Sequence, residues 1–287
     1  AALPIYNELF SSPIRHILAR HEQGAGFIAH GMARSTGKPA VCIATSGPGA
    51  TNLLTAIADA KLDSIPLIAI TGQVPLSLIG TDAFQEVDMY GLTLPISKHS
   101  FLVKSTDELP GIMNEAFRIA ASGRPGPVVI DVPKDIQSRI IEIGGLPEPA
   151  DISGHRIPQE RICRAIAERI NLSEKPVIYA GGGIKASNAI NELIALSEKS
   201  SIPVAVSLMG LGSYPHGSDL YLGLVGMHGN ASTNMIFHET DLIICIGSRF
   251  NDRTTGTPSH FGKKAQIIHI DIDPSEINKI KKSFISL

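Results

Sequence analysis

Short runs of aliphatic and β-branched residues recur along this chain, at Ala40–Ala44, Leu67–Thr71, Val128–Val132, Val177–Ala180, Val204–Leu208, Leu242–Ile246 and Ile267–Ile272. Nearly all are continuously apolar, not alternating, which is the pattern of strands covered on both faces. Helical periodicity lies between many of them, over Pro13–Ser35, Ala50–Leu62, Thr106–Ser122, Gln159–Ile170 and Ala186–Ser200. Strands buried on both faces and separated by helices require βαβ crossovers, so the fold class is α/β with parallel sheets.

The chain of 287 residues is long enough for one large or two ordinary domains. The periodicity breaks near Gly144–Pro158, where Gly, Pro and Glu replace apolar residues. This predicts two parallel-sheet α/β domains, residues 1–146 and 158–287, joined by a linker over 147–157. A net charge of -2 and 5% aromatics without tryptophan give no reason to expect a nucleic-acid partner. No apolar run approaches the roughly 20 residues that span a bilayer, so no membrane association is expected either. Cys42, Cys163 and Cys245 are far apart without metal-ligand spacing. Cys42 and Cys245 lie in strand-like runs and read as buried thiols of a reducing, cytoplasmic compartment.

Glycines cluster after the strand candidates, at Gly47 and Gly49, Gly72, Gly181–Gly183, Gly210 and Gly212, and Gly247. In open parallel sheets the carboxyl ends of strands are where ligands bind, and a missing Cβ lets backbone approach closely. Ser46-Gly47-Pro48-Gly49 follows a strand and opens a helix, but Asn52 occupies the third glycine position of a dinucleotide fingerprint. Glu22 falls at the edge of a stripe formed by Ile14, Leu18, His21, Ala25, Ile28 and Met32 on a helix. Partial burial there would raise its pKa and leave it able to share a proton with a nitrogen base. Phe84 and Gln85, in the loop Gly80-Thr81-Asp82-Ala83-Phe84-Gln85-Glu86, offer an apolar wall and a hydrogen-bond donor together, suited to a small, partly polar substrate.

Together these segments resemble the thiamine-diphosphate-dependent enzymes, and more narrowly the acetolactate synthase (acetohydroxyacid synthase) catalytic subunits. The likeness runs through Ala2–Tyr6, Arg20–Ala25, Ser46–Asn52, Thr71–Pro75, Gly80–Glu86, Gly123–Pro127, Asp131–Asp135, Met209–Pro215, Gly226–Gly229, Ser248–Arg253 and His269–Pro274. The resemblance implies a thiamine-diphosphate pyrimidine-binding domain followed by a Rossmann-like central domain that holds FAD. It implies that Glu22 hydrogen-bonds the aminopyrimidine of the cofactor and promotes loss of the thiazolium C2 proton. The resemblance further implies that Phe84, Gln85 and Lys134, which match the family's positions, line the pyruvate end of the site. Arg124, Gly182, Gly226, Met227, His228, Gly247, Arg249, Asp271 and Ile272 match flavin-contacting positions. The implied reaction decarboxylates pyruvate and condenses the remaining two carbons with pyruvate or 2-ketobutyrate, toward branched-chain amino acids. The resemblance implies a mainly structural flavin that carries no net redox step. A homodimer or higher homo-oligomer is implied, with a small regulatory subunit as a further partner.

Two departures stand out. Asn251 occupies a position where the family usually has Asp. The Gly-Asp-Gly segment through which the family binds Mg²⁺ and the cofactor diphosphate is missing, so the chain is expected to be two of three domains and inactive alone. Rival readings are another thiamine-diphosphate-dependent decarboxylase or oxidase, a dinucleotide-binding module, and a non-catalytic scaffold. Glu22 counts against glyoxylate carboligase, which lacks that acid, and against the nucleotide module.

Overall fold

The computed structural model describes residues 2–145, 147–148 and 157–287. It divides into two compact units, Ala1–His155 and Arg156–Leu287. Most of the expected linker, residues 149–156, lies outside the described residues.

The first unit contains α1 (Leu3–Ser11), α2 (Glu22–Thr36), β1 (Ala40–Ala44), α3 (Pro48–Thr51), α4 (Leu54–Asp63), β2 (Leu67–Gln73), α5 (Met89–Thr93), β3 (His99–Leu102), α6 (Leu109–Ala121), β4 (Val128–Pro133) and α7 (Lys134–Gln137). Its four strands are all parallel, in the order β1-β2-β4-β3. Side chains alternate across a strand, so each strand feeds both faces. Leu67 and Ala69 join Ala29 and Ala33 of α2 and Leu53, Ile57 and Ala60 around α4 in one apolar cluster. Ile68 and Ile70 pack on the opposite face with Ala116 and Ala120 of α6 and Ile136 of α7. That double cover explains why β2 is buried along its whole length.

The second unit contains α8 (Glu160–Asn171), β5 (Pro176–Ala180), α9 (Gly183–Ala186), α10 (Ile190–Ser200), β6 (Val204–Val206), β7 (Tyr221–Leu224), α11 (Ala231–Glu239), β8 (Leu242–Ile246), α12 (Asp252–Thr255), β9 (Gln266–Ile270) and β10 (Ile285–Ser286). Its six strands are also parallel, ordered β10-β9-β8-β5-β6-β7. Ile178, Val204, Leu242 and Ile244 face Leu193 of α10, with Ile166 and Ile170 of α8 packed against them. Val177, Tyr179, Ile243 and Cys245 face Phe237 of α11. The order runs outward from β5 to β7 on one side and from β8 to β10 on the other, so the topological switch point lies between β5 and β8.

At that switch the two strand ends are in contact. A methyl group placed on Gly183 would lie 2.6 Å from the Gly247 α-carbon, and Gly247 itself has φ +56°. The amides of Gly181 and Gly183 donate to Ile246 O (2.9 Å) and Gly247 O (3.0 Å). These glycines therefore close the strand ends on one another, and the two amides have partners within the protein.

Three expectations need correction. The helix drawn from Pro13 begins at Glu22, where His21 is extended and its side chain accepts from the Gln23 amide. Ile14 (65% exposed) and Leu18 (84%) have no core to bury against, so the stripe does not form in this unit. Gly72 does not follow β2 but pairs within it, opposite Val132.

Because backbone, and not a flexible side chain, blocks any added Cβ at the switch point, Gly183→Ala should cost about 1–3 kcal/mol. Gly217, exposed with open space around its Cβ direction, serves as the control, and its alanine variant should be near neutral. Urea unfolding measures both. Equal midpoints would mean that the Gly183–Gly247 contact is not tightly packed.

Candidate active site

Glu22 is the first residue of α2, partly exposed, at the carboxyl edge of the first sheet. The β1 strand ends at Ala44 and the chain turns through Ser46 and Gly47 (φ +61°) into α3. That turn brings Asn52 to Glu22, with Asn52 Nδ2 donating to Glu22 Oε2 at 3.0 Å. Glu22 Oε1 lies 3.2 Å from where a Cβ on Gly49 would project, so a side chain at 49 would crowd the carboxylate.

The expected upward pKa shift of Glu22 is reversed. The Asn52 hydrogen bond holds its carboxyl below the ordinary value, a backbone amide at the helix start adds to this, and desolvation opposes only in part. The cause is position. A carboxylate at a helix N-terminus meets unpaired N–H groups, whereas the stripe expected from the sequence would have placed it against apolar side chains.

The 80–86 loop meets the same turn. A Cβ on Gly47 would lie 2.6 Å from the Gln85 carbonyl oxygen, so only glycine allows the two segments to touch. Gln85 is itself at φ +59°. Glu86 accepts from the amides of Gly80 and of Ala83, the latter at 2.9 Å, and these two bonds hold its carboxyl below the usual range. The clamp leaves Phe84 88% exposed. Lys134 is exposed as the first residue of α7, just beyond the end of β4. Asp135 Oδ1 accepts from the Leu76 amide at 3.1 Å and ties this end of β4 to the segment after β2. Glu22, Gln85 and the glycine turn are thus one contiguous patch, with Lys134 on the same edge of the sheet.

Beneath the loop is a cavity of about 250 Å³ lined in part by Gln73, Glu86, Asp88, Tyr90 and Asp131. None of Glu22, Phe84, Gln85 and Lys134 lines it. Asp131 is fully buried in β4, accepting from Thr71 Oγ1 at 2.6 Å and Gln73 Nε2 at 2.9 Å. Burial pushes its carboxyl up to about 6, the two hydrogen bonds oppose this, and Asp88 adds to it. The sequence reading did not single out Asp131 or Asn52 as site residues. The available signals were an acid interrupting a buried apolar strand, and a polar side chain where a fingerprint would have glycine.

In the second unit, Gly182, Gly226, Met227, His228, Gly247, Arg249, Asp271 and Ile272 all follow the carboxyl ends of β5, β7, β8 and β9. Gly226 (φ +107°) is held by Asn234, whose side chain accepts from its amide at 2.8 Å and donates to its carbonyl at 2.9 Å. Met227 and His228 project from that turn and are exposed. Asp271 Oδ1 accepts from the Asp273 amide at 2.9 Å, and burial raises its pKa. Asn251 caps α12 by accepting from Thr254 N at 3.0 Å, a task Asn performs as well as Asp. Arg124 belongs to the first unit, where its Nε donates to Ser64 Oγ at 2.9 Å.

Among the described residues, no helix is long and apolar enough to cross a membrane. The family model "Thiamine pyrophosphate enzyme, N-terminal TPP binding domain" matches residues 1–92, and "Thiamine pyrophosphate enzyme, central domain" matches residues 163–287. The chain is 56% identical over 286 residues to the acetolactate synthase isozyme 1 large subunit of Escherichia coli, covering 99% of this chain and 50% of that protein. It is 50% identical to the acetolactate synthase large subunit of Corynebacterium glutamicum, covering 98% of this chain and 46% of the relative. Against the E. coli isozyme 2 large subunit the identity is 47%, covering 100% and 52%. The chain spans about half the length of these curated relatives.

A carboxyl whose folded pKa lies above its unfolded one stabilises the fold below the unfolded pKa and loses that contribution as pH rises through the folded value. For Asp131 the loss should fall between about pH 4 and pH 6. Asp131→Asn does not titrate, so its stability relative to the parent chain should rise by up to about 3 kcal/mol across that window and stay level above it. Urea unfolding of both chains from pH 4 to pH 8 measures this. A difference independent of pH would show that Asp131 does not titrate there.

Proposed function

We propose that this chain, which belongs to the thiamine pyrophosphate enzymes, is the first two domains of an acetolactate synthase catalytic subunit. The observation that carries this reading is the patch of Glu22, held by Asn52 beside Gly49, with the Phe84–Gln85 loop seated on Gly47. The net reaction joins two molecules of pyruvate, or pyruvate and 2-ketobutyrate, and releases one CO₂. When bound, thiamine diphosphate would supply the nucleophilic carbon that this chemistry needs.

The residues here fit one end of that cofactor. Glu22 offers a carboxylate oxygen to a ring nitrogen, and the bare Gly49 backbone leaves room for a flat ring beside it. Covering Glu22 with a ring would remove water from it and raise its pKa, so the carboxyl could then hold the proton it gives up when exposed. Exposed Phe84 would cover the methyl side of a small keto acid, with Gln85 donating a hydrogen bond and the Lys134 ammonium facing its carboxylate. The cofactor diphosphate and Mg²⁺ would be held by residues of the longer protein.

FAD would lie on the carboxyl edge of the second sheet. Asp271 suits a ribose hydroxyl, Arg249 a phosphate, and Met227 and His228 the flavin side, with Gly182, Gly226, Gly247 and Ile272 bordering it. The Gly181 and Gly183 amides are already paired, so those two would not donate to the diphosphate, and Arg249 would carry its charge. The exposed apolar residues Phe10, Leu18, Phe27, Ile28 and Met32 fit burial against a second copy of the chain in a homodimer. The setting would be cytoplasmic.

Two variants of the full-length protein test the division of labour. Glu22→Gln should lower kcat for acetolactate formation by about 10²–10⁴-fold while FAD affinity is unchanged. Asp271→Ala should weaken FAD by about 1.5–3 kcal/mol, read from flavin fluorescence. Full activity in Glu22→Gln would make that residue structural. Stoichiometric flavin bleaching by pyruvate under anaerobic conditions would point to an oxidase instead.

A further inference from the structure

A carboxylate in the middle of a strand buried on both faces is costly, because desolvation of a charge is repaid only by well-placed donors. Asp131 stands among Val128, Val129, Ile130 and Val132, all buried, and an apolar residue would pack there without that cost. Both of its oxygens are engaged, by Thr71 Oγ1 at 2.6 Å and Gln73 Nε2 at 2.9 Å. The Gln73 side chain continues the network. Its Nε2 also donates to Val87 O at 2.8 Å, and its Oε1 accepts from the Val74 amide at 2.9 Å.

Val87 ends the loop that carries Phe84 and Gln85. Within the loop, Glu86 accepts from the amides of Gly80 and Ala83, which ties the start of the segment to its end. The Val87 carbonyl is an attachment of this loop to the sheet, made by a side chain of β2. Gln73 reaches Val87 in the rotamer that Asp131 selects, since one N–H of the amide is committed to each acceptor. The cavity of about 250 Å³ below gives the loop space to shift if that attachment is lost. Asp88, Glu86 and Tyr90 line the same space from the loop and α5.

We infer that Asp131 is a positioning residue: through Gln73 it fixes the Val87 end of the 79–88 loop, and so sets where Phe84 and Gln85 stand against Gly47. The link from loop to keto-acid turnover rests on the function proposed above. The link from Asp131 to loop does not, and the two are measured separately.

Amide hydrogen exchange on the present chain at neutral pH tests the tether. Asp131→Ala and Gln73→Met should each speed exchange over residues 80–87 by about tenfold, the factor carried by loss of one buried hydrogen bond, with residues 242–246 unchanged. Asp131→Asn should restore protection, its Oδ1 taking the Gln73 N–H while its Nδ2 faces the Thr71 hydroxyl. Thr71→Val removes the other partner of Asp131 but not the tether, and should leave the loop protected. If Asp131→Ala leaves loop exchange as it was, or if Thr71→Val loosens the loop as much as Gln73→Met, the inference is overturned. Should Asp131→Ala fail to fold, Gln73→Met against Thr71→Val makes the same comparison with the acid in place. In the full-length protein the loosened variants should raise KM for pyruvate more than they lower kcat. A loosened loop with unchanged pyruvate kinetics would uphold the tether and count against the roles proposed for Phe84 and Gln85.

Discussion

Both sheets are parallel and covered on each face by helices, so polar side chains from several elements converge at the carboxyl ends of the strands. Strand interiors such as Leu67–Gln73 and Leu242–Ile246 are closed to solvent almost throughout. The chain emerges at the carboxyl ends, where turns need glycine and helix N-termini present unpaired amides. Glu22, Asn52 and Gln85 meet at that edge of the first sheet, and Arg249, Asp271 and the Met227–His228 turn at that edge of the second. Gly47 and Gly183 serve the same physical purpose in the two units, since each lets two backbone segments touch where a Cβ would keep them apart.

The carboxylates of the first unit show how far surroundings outweigh residue type. Glu22 and Glu86 are held below the usual carboxylate range by donated hydrogen bonds, whereas burial drives Asp131 up to about 6 despite two donors of its own. The difference is solvent. Glu86 is open to water beside its amide donors, while buried Asp131 meets the Thr71 hydroxyl and the Gln73 amide. An acid with a depressed pKa suits a position still open on one side, and covering Glu22 would raise its pKa by removing water from it.

Much of the architecture was legible because strands buried on both faces spell themselves out. The β1 and β8 boundaries match the apolar runs Ala40–Ala44 and Leu242–Ile246. The strands β3, β7 and β10 were missed for identifiable reasons. β3 carries His99 and Ser100 at an edge, β7 contains Gly223 at φ +86° beside a register shift, and β10 spans only Ile285–Ser286. The helix before Glu22 was misread because Ile14, Leu18, Ile28 and Met32 have helical spacing, yet all four are exposed in this unit. The site was legible as motifs but not as contacts. That Asn52 would reach Glu22, or Gln85 touch Gly47, depends on the turn after β1 and cannot be read from spacing.

The claim at the centre is that Glu22 receives the cofactor ring at the glycine turn. A crystal structure of the full-length protein with thiamine diphosphate and Mg²⁺ bound tests it most directly. The expected result is a Glu22 carboxylate oxygen within hydrogen-bond distance of a pyrimidine nitrogen, beside Gly49, with Phe84 and Gln85 bordering the thiazolium. A bound cofactor whose pyrimidine lies away from Glu22, with that carboxylate still occupied by Asn52 and water, would contradict it.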